Sequence, residues 1–267
     1  MPKKFRGHIF DIGANNGVDG IGLAIKNKNH KVLAFEPNPY LCKLIRKLKK
    51  RLEKRINIDL SNYTIYNFAI SDKNGYGSLN ISINDKVSSL NKLSKNIDKS
   101  WPQYKEKVFK VIKKISVKKI TLYDFMKRKK IHKIDYLHID TQGHDLNVLK
   151  GLKYNIFNIA MGKTEAAITK KKSAYQNNHT VNDIKKFFKS KKLDIKKIIK
   201  IDHASENGII NNEADIYFFN KQFKELPIIN RKYNERYLSR TFYCKNNLKD
   251  DVGDFFLYIF NSLKKLF

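Results

Sequence analysis

The chain has 267 residues, of which 41% are hydrophobic, and it carries 55 Lys and Arg residues against 25 Asp and Glu residues. This length fits one large domain, or one domain with appendages, and the apolar content excludes a wholly disordered chain. No apolar run approaches the ~20 residues that cross a bilayer. The N-terminus lacks the apolar stretch of a signal peptide, so we expect a cytoplasmic protein. Its two cysteines, Cys42 and Cys244, form no CxxC pair and are expected to be reduced thiols.

The net charge of +30 has two interpretations. A basic surface favours nucleic acid, anionic membranes or acidic substrates. Lysine, however, outnumbers arginine 47 to 8, and Lys, Ile and Asn together supply 107 residues, a bias typical of AT-rich codons. Guanidinium groups, which bind phosphate in a bidentate manner, are therefore scarce. The sequence leaves open whether the charge is a selected polyanion surface or a consequence of genome composition.

Apolar runs of strand length alternate with helical spacings along most of the chain. Strands are predicted at 8–12, 31–35, 63–70, 75–83, 134–139, 159–168, 193–201 and 215–219, and helices at 18–28, 41–52, 121–130, 144–152 and 180–192. Strands separated by helices imply right-handed parallel crossovers. The predicted fold is therefore α/β, with an open, doubly wound and mostly parallel sheet. Such sheets bind ligands at the carboxyl ends of their strands, near the reversal of strand order.

Three strand ends carry residues suited to a nucleoside. After the first strand, Gly13 and Gly17 permit a tight turn before a helix N-terminus, and Asp11 precedes them where a dinucleotide-binding turn has no acid. A carboxylate there suits an ammonium group. Glu36 ends the second strand, 23 residues beyond Gly13, a spacing that brings an acid to ribose hydroxyls. Asp72, after the third strand, is placed for an adenine amine. Ammonium, ribose and adenine together indicate S-adenosylmethionine.

Five segments in order resemble the FkbM-type S-adenosylmethionine-dependent methyltransferase family. They are FDIGANNG at 10–17, AFEPNP at 34–39, NFAISDKNGYGSLNI at 67–81, ITLYDF at 120–125 and IDYLHIDTQGHDLNVLKG at 134–151. A later KTEAAI at 163–168 resembles the family's fifth-strand segment. The resemblance covers about residues 8–220.

The resemblance implies a class I, Rossmann-like methyltransferase fold over 1–225 and transfer of a methyl group from S-adenosylmethionine to an oxygen. The cofactor-binding residues that it implies, from the methionine part through the ribose to the adenine amine and the methyl-transfer side, are Asp11, Gly13, Asn15, Gly17, Glu36, Ser71, Asp72 and Asp140. The chain departs from the family's usual Lys-Ile-Asp-x-Glu-Gly-x-Glu after the fourth strand. It has His138, Gln142 and Asp145 where the family commonly has Lys, Glu and Glu.

Asp140 and His144 are the predicted catalytic residues. Methyl transfer needs alignment and removal of the acceptor proton, and a general base typically contributes ~10²–10⁴-fold. We expect Asp140 to orient the acceptor or act as base, with assistance from His144 at the start of the next helix. The alternative for His144 is a plain helix N-terminal residue. His138, Asp140 and His144 also have the spacing of metal ligands, but without an evident third ligand we predict no metal.

Two regions outside these motifs have predicted roles. Residues 84–119, rich in Ser and Lys and containing Trp101, are expected to cover the substrate; the alternative is a disordered excursion. Residues 226–267 form a C-terminal helical extension in which 252–267 have amphipathic helical spacing. This helix has three candidate partners, namely its own domain, a second copy of the chain in a homodimer, and the surface of a membrane.

The leading functional hypothesis is an O-methyltransferase acting on a hydroxyl of a sugar, glycan or small natural product. A nucleic-acid methyltransferase is the first alternative, because the cofactor would be the same and the surface is basic. The low Arg content and the lack of a recognisable RNA-binding module disfavour it. A non-catalytic scaffold on the same fold is the second alternative. Four acids at strand ends in a chain of charge +30 disfavour a scaffold.

Overall fold

The structure, a computed structural model, describes residues 5–55, 57–102, 104, 108–205 and 208–232. The strands are β1 (Gly7–Ile12), β2 (His30–Phe35), β3 (Tyr63–Tyr66), β4 (Ala69–Ile70), β5 (Gly75–Ser82), β6 (Val111–Ile120), β7 (Ile134–Ile139), β8 (Ile159–Ala167), β9 (Asp194–Ser205) and β10 (Gly208–Phe219). The helices are α1 (Val18–Lys26), α2 (Pro39–Arg55), α3 (Ile97–Ser100), α4 (Leu122–Lys129), α5 (Asp145–Lys150) and α6 (Val181–Ser190).

Seven strands form the main sheet in the order β3-β2-β1-β7-β8-β10-β9. All neighbours from β3 to β8 are parallel, and β10 is antiparallel to both β8 and β9. The prediction of a doubly wound, mostly parallel sheet is confirmed. Strand order reverses between β1 and β7, so the carboxyl ends of these two strands flank the crevice in which such sheets bind ligands.

Three further strands form a small second sheet in the order β4-β6-β5. The prediction of one continuous strand over 63–70 is wrong, because β3 belongs to the main sheet and β4 pairs with β6 in the small sheet. The sequence predicts no strand or helix between 107 and 119, where most of β6 lies and pairs antiparallel with β5. Most side chains of β6 are partly or fully exposed, so its sequence lacks the apolar run that identifies a central strand.

The core lies on both faces of the main sheet. All six residues of β7 are buried, as expected of a central parallel strand. On one face, Leu41, Ile45, Leu48 and Leu52 of α2 pack in one apolar cluster with β1 and β2. These positions recur at the three- and four-residue spacing of one helix face, so the lysines of α2 lie outward. On the other face, α4, α5 and α6 cover the sheet.

Side-chain caps fix the start of two helices. Thr121 accepts the backbone N–H of Asp124 at 3.1 Å, which confirms the predicted N-cap of α4. Thr180 and Asp183 form a reciprocal capping box at the start of α6. Such caps supply partners for helix N–H groups that otherwise have none, and each stabilises a helix by roughly 1 kcal/mol.

The described chain ends in an irregular segment that returns to the main domain. The backbone of Asn230 exchanges two hydrogen bonds of 2.9 Å with the side chain of Asn27. Residues 226–232 of the predicted helical extension form no helix. The remainder of that extension, with the predicted amphipathic helix at 252–267 and Cys244, lies outside the described residues. Within the described part, no helix is long and apolar enough to cross a bilayer.

Gly162 in β8 provides a test of the packing between the sheet and its core. A Cβ at this position would collide with the carbonyl oxygen of Leu137 on β7 and with the ring of Phe218 on β10. We expect Gly162→Ala to lower the free energy of unfolding by roughly 1–3 kcal/mol, measured by urea denaturation.

The matched control is Gly77→Ala in β5, where a Cβ would meet only the flexible side chain of Lys119. This variant is expected to unfold within about 1 kcal/mol of the wild type, because alanine also reduces the entropy of the unfolded chain. Equal stability of the two variants would show that β7, β8 and β10 are not packed as described.

Candidate active site

A cavity of about 420 Å³ opens at the carboxyl ends of β1, β2 and β7. Its volume lies within the range of small-molecule sites. The glycine turn after β1, Glu36 after β2 and Asp140 after β7 line one side. Residues 84–90, Trp101, Tyr104 and 108–109 line the other. The sheet therefore brings together residues from motifs that lie more than 100 positions apart.

The turn after β1 is held tightly against its neighbours. The N–H groups of Gly13 and Ala14 both donate to the carbonyl of Phe35 at 3.0 Å. Gly13 has a φ of 87° and packs so closely on the carbonyl of Asp140 that any Cβ there would collide with it. Gly13 and Asn15 line the cavity, as predicted, whereas Gly17 is not among the lining residues and ends the turn at a φ of 77° before α1.

Glu36 lines the cavity and is only 5% exposed. Its Oε2 accepts the N–H of Asn15 at 2.8 Å and its Oε1 accepts the N–H of Asn38 at 2.7 Å. Burial raises the pKa of this carboxyl to about 8, although the two N–H bonds oppose the shift. Each carboxylate oxygen has a second lone pair, so Glu36 retains acceptor capacity for ligand hydroxyls.

Asp11 does not line the cavity. It is 1% exposed, and its Oδ1 lies 2.8 Å from Nδ1 of His138. The two residues are partners in the β1–β7 register, so their side chains lie on the same face of the sheet. Although burial opposes it, the hydrogen bond and charge of Asp11 raise the pKa of His138. The residue that replaces the family's usual lysine thus pairs with Asp11, and the arrangement does not bring Asp11 to the predicted methionine contact.

Ser71, Asp72 and His144 form a hydrogen-bonded chain. Ser71 Oγ donates to Asp72 Oδ1 at 3.0 Å and lies 2.9 Å from Nε2 of His144. The amide of Asn147 lies 3.0 Å from Nδ1 of the same ring. If that amide donates, Nδ1 accepts and Nε2 carries the hydrogen that Ser71 receives. His144 lines the cavity, whereas Ser71 and Asp72 are not among its lining residues.

The partners of His144 restrict its chemistry. Both ring nitrogens are engaged, and burial lowers the pKa of His144 to about 4. A ring in this state is neutral at physiological pH and has no lone pair available for the proton of an acceptor. The geometry therefore corresponds to the alternative interpretation of His144, a helix N-terminal residue that holds the Ser71–Asp72 loop.

Asp140 lies at the centre of the site. Its backbone N–H donates to the carbonyl of Ile12 at 2.9 Å, which joins the tips of β7 and β1. Its Oδ1 accepts from Nε2 of Gln142 at 2.9 Å. The carboxylate is partly exposed and lines the cavity, so its predicted location is consistent with the structure.

Sequence reasoning missed two acids that also line the cavity, Glu165 and Glu213. The β7–β8 register pairs His138 with Lys163, so Asp140 and Glu165, two residues further on, lie side by side. Burial, with Glu213 and Asp140 nearby, raises the pKa of Glu165 well above its ordinary value. The available sequence signal was an acid within an otherwise apolar strand near its carboxyl end, in KTEAAI.

A histidine and the single tryptophan complete this end of the cavity. Nε2 of His203 lies 3.4 Å from Oε2 of Glu213, and the ring of Trp101 meets that of His203 edge-on at a centroid distance of 4.7 Å. Within the described residues, no group of three or more His, Cys, Asp or Glu side chains is arranged to hold a metal ion.

The segment over the cavity is anchored to the loop that follows β7. Ser89 Oγ donates to the carbonyl of Gln142 and Asn91 Nδ2 to the carbonyl of Gly143, both at 2.7 Å. Trp101 packs in a small apolar cluster with Ile97, Phe109 and Tyr175. Of the predicted covering segment 84–119, the described residues before β6 are thus folded over the cavity, whereas 111–119 belong to β6 of the small sheet.

A family model described as the methyltransferase FkbM domain matches residues 11–202. This chain belongs to the FkbM methyltransferase family. A methyltransferase FkbM from Methylobacillus flagellatus KT is 14% identical, with a TM-score of 0.46, over 81% of this chain and 44% of that one. TrmK from M. capricolum, solved with S-adenosyl-homocysteine, is 16% identical, with a TM-score of 0.42, over 97% of this chain and 80% of that one. No curated protein matches the chain.

Membership of this family, together with the sheet order, gives the chain the class I, Rossmann-like methyltransferase fold, for which S-adenosylmethionine is the cofactor. The cavity fits that cofactor on three observations. Glu36 is a buried carboxylate with spare acceptor capacity. The turn at Gly13 leaves no room for a side chain beside Asp140. The α1 N-terminus follows this turn, where its N–H groups give a partial positive charge.

The pH dependence of stability tests the buried state of His144. Because its pKa is about 4 in the folded protein and about 6.5 in the unfolded chain, the unfolded state binds more protons between these values. Stability is therefore lost as the pH falls from 6.5 through 4. From pH 7 to pH 4.5 the loss assigned to this group is roughly 2–3 kcal/mol. The measurement is the free energy of urea unfolding of the wild type minus that of His144→Gln. This difference should be smaller at pH 4.5 than at pH 7 by the same amount.

His132→Gln is the matched control, because His132 is exposed. Its stability should follow the wild-type pH dependence throughout. If the difference between the wild type and His144→Gln were the same at both pH values, the imidazole would not be held neutral by its surroundings.

Proposed function

We propose that this methyltransferase methylates a hydroxyl of a sugar, glycan or small natural product. The observation that carries the proposal is the character of the cavity wall. Carboxylates of Asp140, Glu165 and Glu213 lie beside the aromatic rings of Trp101 and Tyr104, in a chain whose net charge is +30. Because acids are gathered in the cavity of an otherwise basic protein, the ligand explains the residues of the cavity better than the overall composition of the chain does.

The cofactor end of the cavity would be formed by the predicted residues at the tips of β1 and β2. Glu36 is placed to accept ribose hydroxyls, and Gly13, Asn15 and Gly17 shape the turn beside it. The Ser71–Asp72 loop is proposed to form the adenine end, next to Ile70, which lines the cavity. When bound, S-adenosylmethionine supplies a methyl group that its sulfonium has already activated for in-line transfer.

The acceptor end follows from hydrogen-bond chemistry. Ionised carboxylates only accept hydrogen bonds, and hydroxyl groups donate them. A ring that bears several hydroxyls therefore suits the carboxyl groups of Asp140, Glu165 and Glu213, because a carboxyl group keeps an accepting oxygen in either protonation state. A phosphate would face like charges in a partly buried site, and its repulsion there is weakly screened.

The protein's own contributions are to exclude water, orient the acceptor and take its proton. The anchored segment 84–91 covers the cavity and provides the first of these. Asp140 is proposed to take the proton, because it is the predicted carboxylate that lines the cavity and its position is fixed by both β1 and β7. His144, whose nitrogens are both engaged, is proposed to position Ser71 and Asp72 rather than to move a proton.

A nucleic-acid acceptor is the second candidate, favoured by the net charge of +30. Surface lysines attract phosphates over a distance that salt screens, whereas the acids of the cavity repel them at the reacting centre. A nucleobase that accepts the methyl group would have to enter the cavity while the phosphates of the nucleic acid remained outside. The hydroxyl acceptor needs no such separation, and we favour it for that reason.

Cofactor binding is tested at Glu36. We expect calorimetry with S-adenosylhomocysteine to show binding by the wild type and roughly 10- to 100-fold weaker binding by Glu36→Ala, because the buried oxygens that accept the ribose hydroxyls are lost. Glu53→Gln, on the outer face of α2, removes a carboxylate that forms an ion pair with Lys49 and should bind as the wild type does. Equal affinity of Glu36→Ala would contradict the assigned ribose site, and no binding by the wild type would contradict the cofactor assignment.

Trp101 provides an internal probe of the acceptor, since it is the single tryptophan of the chain. With S-adenosylhomocysteine bound, a panel of neutral methyl glycosides is titrated while tryptophan emission is followed. The same sugars as phosphates and a short oligouridylate form the comparison. We expect saturable changes with neutral members of the panel and at least about tenfold weaker responses with the phosphates, because the cavity is acidic.

The response to neutral sugars should also weaken in Glu165→Gln, which removes one carboxylate but keeps its size. Methyl transfer from radiolabelled cofactor to glycan and RNA fractions provides the second readout. Labelled RNA with unlabelled glycan would replace the proposed acceptor with the nucleic-acid alternative.

A further inference from the structure

Gln142 occupies the position at which the family commonly has an acid, directly beside Asp140. Its side-chain amide has two partners. Nε2 lies 2.9 Å from Oδ1 of Asp140, and Oε1 lies 3.0 Å from the hydroxyl of Tyr175. A glutamate here could donate to neither of them when ionised and would place a second negative charge against Asp140. The amide instead converts an acid pair into a charge-assisted hydrogen bond.

The partner behind Gln142 is itself fixed. Tyr175 is 3% exposed, and its hydroxyl also lies 2.7 Å from the carbonyl of Val87 in the covering segment. Its ring packs against Phe109. If Tyr175 turned away from Gln142, its hydrogen bond to the carbonyl of Val87 would also be lost.

The backbone holds Gln142 from the other side. Its φ of 52° is left-handed, a conformation that costs a residue other than glycine free energy and that persists where neighbouring contacts enforce it. The hydroxyl of Ser89 donates to its carbonyl at 2.7 Å. The side chain and main chain of Gln142 are thus both tied to the segment that covers the cavity.

We propose that Gln142 is a positioning residue that orients the carboxylate of Asp140 before the acceptor proton arrives and stays hydrogen-bonded to it afterwards. This inference rests on the proposed role of Asp140 as the proton acceptor. It goes beyond that role because it assigns to Gln142, and to Tyr175 behind it, the control of the carboxylate.

The amide serves both protonation states of Asp140 through one rotation. While Asp140 is ionised, Nε2 donates to it and the Tyr175 hydrogen is shared between Oε1 and the carbonyl of Val87. Once Asp140 carries the proton, a half-turn of the amide lets Oε1 accept from the carboxylic acid and Nε2 donate to the Tyr175 oxygen. The hydrogen of Tyr175 then goes to Val87 alone. An apolar side chain at position 142 can neither donate to ionised Asp140 nor accept from protonated Asp140. A carboxylate there can only accept from the protonated form.

Other charges around Asp140 bear on its protonation. The ionisable groups that interact with it are Asp11 on β1, Asp145 at the start of α5, and Lys163 and Glu165 on β8. These groups remain in place when Gln142 is changed. A difference between variants at position 142 therefore reports the contact with Gln142 and not the rest of the site.

The test is a pH titration of the Asp140 carboxyl carbon by ¹³C NMR, in the full chain saturated with S-adenosylhomocysteine. Asp140→Asn, which removes the signal, provides the assignment. We expect the titration midpoint in Gln142→Glu to rise by about one pH unit or more, because two adjacent carboxylates cannot both ionise readily. Gln142→Met, of similar length but without a donor, should raise it by a smaller amount.

Gln222→Glu is the matched control, since the same chemical change occurs at an exposed position after β10. It should leave the midpoint within about 0.3 unit of the wild type. Tyr175→Phe removes one hydroxyl and should shift the midpoint in the same direction as Gln142→Met. If Gln142→Glu does not fold, Gln142→Met and Tyr175→Phe still decide the matter.

Midpoints of Gln142→Glu and Gln142→Met within about 0.3 unit of the wild type would overturn the inference. The titration requires no acceptor. A failure to find a hydroxyl acceptor would therefore contradict the proposed function and leave this result standing, and an unmoved midpoint would remove the role of Gln142 and leave the proposed function standing.

Discussion

The carboxylate of Glu36 is the interaction on which the site depends, because it joins the ends of two neighbouring strands. Its two oxygens accept N–H groups from the β1 turn and from the start of the loop after β2. A buried carboxylate without such donors would cost several kcal/mol. The same bonds fix the turn at Asn15 relative to Glu36, so the strand tips form one rigid wall of the cavity rather than two mobile loops.

The sheet order determines what faces that wall. Since β7 and β8 lie beside β1, Asp140 and Glu165 reach the same cavity as Glu36, and the β10 hairpin adds Glu213. Gathering acids in one partly buried place destabilises their ionised forms. The surrounding donors, among them Gln142, offset part of that cost. In a basic chain, we propose that a cationic cofactor and an acceptor rich in hydrogen-bond donors account for this arrangement.

The sequence was sufficient for those parts of the fold that depend on local pattern. Continuous apolar runs identified the central strands, the three- and four-residue spacing of Leu41, Ile45, Leu48 and Leu52 identified α2, and Thr121 identified a cap. The placement of Glu36 followed from the geometry of a βαβ unit. Partners separated by more than 100 residues were beyond such reasoning. Asp11 forms a hydrogen bond with His138 on the neighbouring strand and does not line the cavity. No local signal at residue 11 specifies that partner.

Other differences between the sequence predictions and the arrangement in the structure have similar causes. The strand over 63–70 divides between two sheets, which depends on pairing with β6 and not on the apolar content of the segment. His144 has the position predicted for a catalytic residue, but its two ring nitrogens are hydrogen-bonded to Asn147 on its own helix and to Ser71 at another strand end. Glu165 and Glu213 were overlooked because each interrupts a strand in the later half of the chain, where antiparallel pairing makes the face of a side chain hard to assign.

A crystal structure of the chain with S-adenosylhomocysteine tests the central claim most directly. The account predicts the ribose hydroxyls on the carboxylate of Glu36 and the sulfur on the side of the cavity occupied by Asp140 and Glu165. A nucleoside bound elsewhere, or one whose ribose has no contact with Glu36, would contradict it.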